Sequence, residues 1–68
     1  MKPVTGKEFA EVIERFGWEY KRTTASHHIY RKPGNPYNIS LPIHNNKQLK
    51  LGLQISQMRI AGITEKDL

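Results

Sequence analysis

Residues 18–32 read WEYKRTTASHHIYRK, two runs of strand-forming residues around a small polar centre. Trp18, Glu19, Tyr20 and Lys21 alternate aromatic with charged side chains, and this period of two predicts a strand from Trp18 to about Thr23. Thr23-Thr24-Ala25-Ser26 is small and polar and reads as a turn. His27 to Lys32, with Ile29 and Tyr30, predicts a second strand, ended by the turn residues Pro33-Gly34-Asn35-Pro36. Beyond them Ile39, Leu41 and Ile43 alternate with Ser40, Pro42 and His44, giving a third strand. Pro42 has no backbone donor, which assigns that strand to a sheet edge.

Outward from the strands lie two helices. Thr5-Gly6-Lys7-Glu8 matches a capping box, in which the Thr5 hydroxyl accepts from the Glu8 amide and the Glu8 carboxylate reaches back. Phe9, Val12, Ile13 and Phe16 follow at i, i+3, i+4 and i+7, one helical face, and Gly17 is a stop able to take positive φ. The first helix is expected over residues 6–16. After the polar loop His44-Asn45-Asn46-Lys47-Gln48, a second helix begins near Leu49 or Leu51. Its face is expected to carry Leu51, Ile55 and Met58, widened by Leu53 and Ile60, with Gly62 as its stop. Thr64-Glu65-Lys66-Asp67 resembles another capping box. Helix, three strands and helix make a two-layer α+β sandwich of one domain, residues 1–68, with antiparallel strands. Its core is assigned to Phe9, Val12, Ile13, Phe16, Trp18 and the aliphatic residues after Tyr37. Typical aromatic burial favours the interior for Trp18 and Tyr20 by about two to one.

Charge is partitioned along the chain. Net charge is +5 over 68 residues. Glu8, Glu11, Glu14 and Glu19 lie near the start and Glu65 and Asp67 near the end, so Tyr20 to Thr64 contains no acidic residue. That span holds Lys21, Arg22, Arg31, Lys32, Lys47, Lys50, Arg59 and all three histidines. Such a balance favours an anionic partner, although many small proteins are basic for solubility alone. No run of about 18 apolar residues predicts a membrane span, and MKPVTGKEF lacks the apolar stretch of a secretory signal. The absence of cysteine excludes disulfides and thiolate–zinc staples and is compatible with a cytoplasmic protein.

His27 is the candidate for chemistry. A strand histidine taken alone is most often a polar surface residue. As a metal site the pair His27-His28 fails, because neighbouring strand residues point to opposite faces and no Cys or Asp lies close in sequence. As an acid–base group an imidazole is well suited, since its unperturbed pKa of about 6.5 allows proton exchange near neutral pH. RNA brings its own 2′-hydroxyl nucleophile, so a positioned imidazole and nearby cations suffice, with no metal. Lys21, Arg22, Arg31, Lys32 and Lys47 are the candidate phosphate ligands. Trp18, Tyr20, Tyr30 and Tyr37 could stack on unpaired bases where exposed.

Four blocks in order carry a family resemblance. They are Thr24-Ala25-Ser26-His27-His28-Ile29-Tyr30-Arg31, Ile39-Ser40-Leu41-Pro42-Ile43-His44, Asn46-Lys47-Gln48-Leu49-Lys50-Leu51-Gly52, and Ile60-Ala61-Gly62-Ile63. Together they resemble the HicA (YcfA-like) toxins, whose pattern runs G-S-H-H-x-Y, V-x-V-P-x-H, N-K-E-L-x-x-G and A-G-I. The resemblance covers about residues 3–66. It implies a double-stranded-RNA-binding-domain-like fold, α-β-β-β-α, with two helices on one face of a three-stranded antiparallel sheet. It implies a metal-independent mRNA interferase without a cofactor, an endoribonuclease acting on translated messages, neutralised by a HicB-type antitoxin. The first histidine of the motif maps onto His27 as the catalytic residue, and Ser26 and His28 join the basic residues as candidate RNA contacts. Ala25 stands where the motif has glycine, a departure that would shift the start of the strand or slow the reaction.

Two other readings remain at this point. A non-catalytic RNA-binding module shares the fold and the charge, but tolerates loss of His27. A DNA-binding element is disfavoured because the second helix, with Leu53, Ile55, Met58 and Ile60, has little polar face for a groove. On the ribonuclease reading Tyr30 packs inward, and His27 faces outward with either an exposed Ile29 or a bulge.

Overall fold

The computed structural model describes residues 1–44 and 46–68; Asn45, within the polar loop expected over residues 44–48, lies outside the described residues. The order is α1 (Gly6–Arg15), β1 (Glu19–Thr24), β2 (His27–Arg31), β3 (Ile39–Pro42), α2 (Leu51–Ala61) and a short 3₁₀ turn, Glu65–Asp67. The strands form one antiparallel sheet in the order β1-β2-β3. This is the double-stranded-RNA-binding-domain-like α+β arrangement expected from the sequence, with β3 and its Pro42 at an edge.

The α1 capping box forms as the spacing requires. The Glu8 amide donates to Thr5 Oγ1 at 3.1 Å, and the Thr5 amide donates to Glu8 Oε1 at 2.9 Å. That bond from the Thr5 backbone holds the Glu8 carboxyl below its usual value. The helix ends at Arg15, one residue short of the expected boundary. Gly17, at φ +95°, reverses the chain, and the Trp18 amide donates back to the Ile13 carbonyl at 3.1 Å. Trp18 thereby takes the interior position, 2% exposed, and Phe16 is turned out of the core to 39% exposure. Tyr20, also expected inside, is 50% exposed because β1 extends beyond the helices and all six of its residues are exposed.

One apolar face of the sheet makes the core. Tyr30 of β2 pairs with Ile39 of β3, and with Leu41 they pack with Phe9, Val12 and Ile13 of α1 and Met58 and Ala61 of α2. Gly6 brings α1 close: a Cβ at this position would collide with the Pro42 carbonyl oxygen. The expected face of α2 holds in part, with Met58 buried and Leu53 and Ile60 packed against the core. The buried residues of the helix are Gln54, Met58 and Ala61, and Leu51 is 59% exposed. Apolar residues occur on several sides of this helix, so their spacing does not single out a direction. Gln54 is buried because its amide satisfies backbone, with Nε2 donating to the Lys2 carbonyl at 2.8 Å and Oε1 accepting from the Val4 amide at 3.3 Å. The Leu49 amide donates to the Val4 carbonyl at 2.8 Å, so residues 2–4 are tied along the start of α2. The last residues close with Asp67 Oδ2 accepting from the Thr64 amide at 2.8 Å.

Two outcomes are expected. Gln54→Ala leaves the buried Val4 amide without its acceptor and should cost about 1–3 kcal/mol in urea denaturation. Burial, followed by the charges of Glu14 and Tyr20, pushes the Tyr30 phenol above its usual value of about 10. The folded state therefore keeps this proton after the unfolded chain has lost it. Stability should fall as pH rises past 10, and Tyr30→Phe should blunt that fall in pH-dependent melting.

Candidate nucleic-acid interface

Two helices cover one face of the sheet, and strand alternation assigns the residues of the other. In β2 the inward residues are His28 and Tyr30, and the outward ones are His27, Ile29 and Arg31. His27 is exposed, Ile29 half-buried and Arg31 exposed. His27 lies opposite Thr24 of β1 and Pro42 of β3. Ile29 lies opposite Arg22 and Ser40, so Arg22 and Ser40 are the diagonal neighbours of His27 on the two flanking strands. Diagonal neighbours stand roughly 7–8 Å apart, within reach of an arginine.

A β-bulge makes this arrangement possible. The β1–β2 register shifts between Tyr20 and Arg22, leaving Lys21 as the extra residue. Tyr20 pairs with Tyr30 on the helix side, and after the bulge Arg22 pairs with Ile29 on the open side. Without the extra residue Arg22 would fall on the helix-covered face. The bulge allowed for between His27 and Ile29 does not occur: β2 alternates regularly with Ile29 half-buried, and the bulge that does occur lies in β1.

The hairpin turn fixes where β2 begins. Ala25 and Ser26 form a two-residue connection, and Ala25 adopts φ +54°, the left-handed region that favours glycine. Thr24 still pairs with His27, so alanine in place of the motif glycine does not displace the strand start. The Ser26 carbonyl accepts from the Ile43 amide at 3.2 Å, joining the turn to the end of β3.

The other expected contacts divide between faces. His28 is half-buried on the helix side, its ring 5.5 Å from that of Tyr20, which also meets Tyr30 edge-on at 5.8 Å. The Tyr20 hydroxyl is fixed by Thr23 Oγ1 at 2.7 Å. Lys32 follows the same alternation inward, its methylenes close to Gly17. Lys21 pairs with Glu19 at 3.2 Å, and Glu19 also lies opposite Arg31. The acid-free span of the sequence thus acquires carboxylates in space, Glu19 beside Lys21 and Arg31 and Glu14 near Tyr30. Lys47 is exposed beyond β3 and shares a hollow with Pro42, His44 and Lys50. The open face accordingly gathers His27, Arg22 and Arg31, and adds Thr24 and Ser40, which sequence reasoning did not select. The alternation of Ser40 between Ile39 and Leu41 was the signal for it.

Among the described residues no three His, Cys, Asp or Glu side chains form a cluster able to hold a metal ion. No helix among the described residues is long and apolar enough to cross a membrane.

The fold and this face define a small α+β domain with a cationic, histidine-bearing sheet surface. The family model described as HicA toxin of bacterial toxin-antitoxin matches residues 6–63. The chain belongs to the HicA toxin family, whose members are the toxins of toxin–antitoxin pairs. No curated protein matches it significantly.

The turn supplies a direct test. A β-carbon in the left-handed region costs about 1–2 kcal/mol, partly offset by the greater freedom of glycine in the unfolded chain. Ala25→Gly should raise stability by about 0.5–1 kcal/mol in thermal melting. A loss of stability would contradict the conformation assigned to the turn.

Proposed function

We propose that the chain is an mRNA interferase, a metal-independent endoribonuclease in which His27 is the general acid–base residue. The observation that carries this reading is the exposed His27 imidazole on the open sheet face, with Arg22 diagonal to it. In the reaction the RNA 2′-oxygen attacks the adjacent phosphorus and loses its proton. The bond from phosphorus to the 5′-oxygen breaks, and that oxygen gains a proton. The products are a 2′,3′-cyclic phosphate and a free 5′-hydroxyl. His27 carries one of these proton transfers. His28 belongs to the opposite face, so it does not serve as the second catalytic histidine, and water completes the exchange. Arg22, always charged and planar, neutralises the negative charge that grows on the phosphoryl oxygens.

The remaining basic residues, Lys21, Arg31, Lys32 and Lys47, hold the message electrostatically, and Ser26 and His28 support the hairpin around His27. A HicB-type antitoxin would neutralise the toxin by covering the open face with acidic or bulky groups over His27, since a cationic surface is readily blocked by a complementary partner. The protein would work in the cytoplasm, where messages are translated.

Incubation with a single-stranded RNA in EDTA should give cleavage ending in cyclic phosphate. His27→Ala should slow it about 10²–10⁴-fold, the range supplied by a positioned acid–base group, while RNA affinity changes little. His28→Ala should have the milder effect, and His27→Ala should relieve growth inhibition on induction. Undiminished cleavage by His27→Ala would remove its assigned role. RNA bound tightly but left intact by the wild-type chain would favour the non-catalytic binding module.

A further inference from the structure

The hairpin end remote from His27 carries a second concentration of charge. A groove of about 450 Å³ lies there, lined by Lys21, Arg31, Lys32, Glu19 and the turn from Pro33 to Pro36. Its cations come from three unlike positions: the bulge, the open face of β2, and the first residue beyond β2 on the helix side. Three cations face a single carboxylate, so the groove remains net positive. The Lys21–Glu19 pair is 3.2 Å long with its side chains 45% and 56% exposed, and such exposed pairs hold together weakly.

We propose that this groove binds a backbone phosphate of the RNA strand, apart from the phosphate that is cut, so that the RNA lies lengthwise along β2. The inference rests on the ribonuclease reading and assigns it a direction. Arg31 lies four steps along the strand from His27, roughly 13 Å at about 3.3 Å per residue. One phosphate cannot meet both. The span corresponds to about two nucleotides of extended single strand, and a contact at each end fixes the path between them. A phosphate contact fixes register without reading bases, so the groove contributes affinity for length and not for sequence. Glu19 weakens this contact in two ways: it occupies Lys21 and it repels the incoming phosphate. Removal of its charge should therefore strengthen RNA binding, although Glu19 touches none of the reacting atoms.

The test compares single-stranded RNAs of 4 and 10 nucleotides that share one cleavable step. Arg31→Gln with Lys32→Met keeps the aliphatic bulk that packs near Gly17 while removing both charges. This double variant should raise KM for the 10-mer about tenfold and lower kcat/KM for the 4-mer much less, by about twofold. The salt dependence of 10-mer binding should become shallower by about one to two charges. Glu19→Gln should lower KM for the 10-mer about two- to fivefold. Equal losses on the two RNAs, or none on either, would overturn the groove as a phosphate site. Anisotropy titration of a labelled 10-mer separates the two readings where no cleavage is seen. A wild-type chain that binds but does not cut removes the ribonuclease reading, while the groove still stands or falls by whether the double variant binds more weakly.

Discussion

Tyr30, Ile39 and Leu41 share one face of a three-stranded sheet, and their burial against Phe9, Ile13 and Met58 constrains everything on the other face. Strand side chains alternate, so fixing Tyr30 inward fixes His27, Ile29 and Arg31 outward. A slip of one residue in β2 would bury the imidazole and Arg31 and expose the tyrosine. Complete burial of a side chain of this size is worth about 2–3 kcal/mol, and a domain of this length has only a few kcal/mol of net stability. The register is thus protected by the same apolar contacts that keep the domain folded. The position of the imidazole follows from packing on the far side of the sheet.

The bulge at Lys21 extends that control to β1. It lets Tyr20 pair with Tyr30 on one side and Arg22 with Ile29 on the other. Arg22 beside His27 and Lys21 of the distal groove both depend on this extra residue. Ala25 acts similarly at the other end of the hairpin. It accepts a left-handed backbone so that a two-residue turn can hold Thr24 opposite His27.

Much of this is legible in the amino-acid sequence. The capping box, the stop at Gly17, the period of two in the strands and the edge proline are local signals, and each appears where its chemistry requires. What was hidden depended on long-range competition. Phe16 and Trp18 both suit one interior position, and the reversal at Gly17 awards it to Trp18. Tyr20 looked like core because aromatic residues usually are, but β1 overhangs the helices. Gln54 was invisible as a core residue because its partners, Lys2 and Val4, lie about fifty positions away in sequence. On the open face His27 was found through its motif, whereas the neighbourhood of Arg22 and Ser40 required the strand pairing. Glu19 shows the same limit, since an acid-free run of sequence is not an acid-free surface.

The outer side of β1 has a further consequence. Its backbone donors and acceptors lie at the free margin of the sheet, where another extended chain could add by hydrogen bonding and start a fibre. Glu19, Lys21 and Arg22 crowd that margin with charge, and the bulge interrupts its regular spacing. Charge and bulge therefore each discourage one copy from stitching onto the next, and apolar residues at these positions would remove the first of the two safeguards.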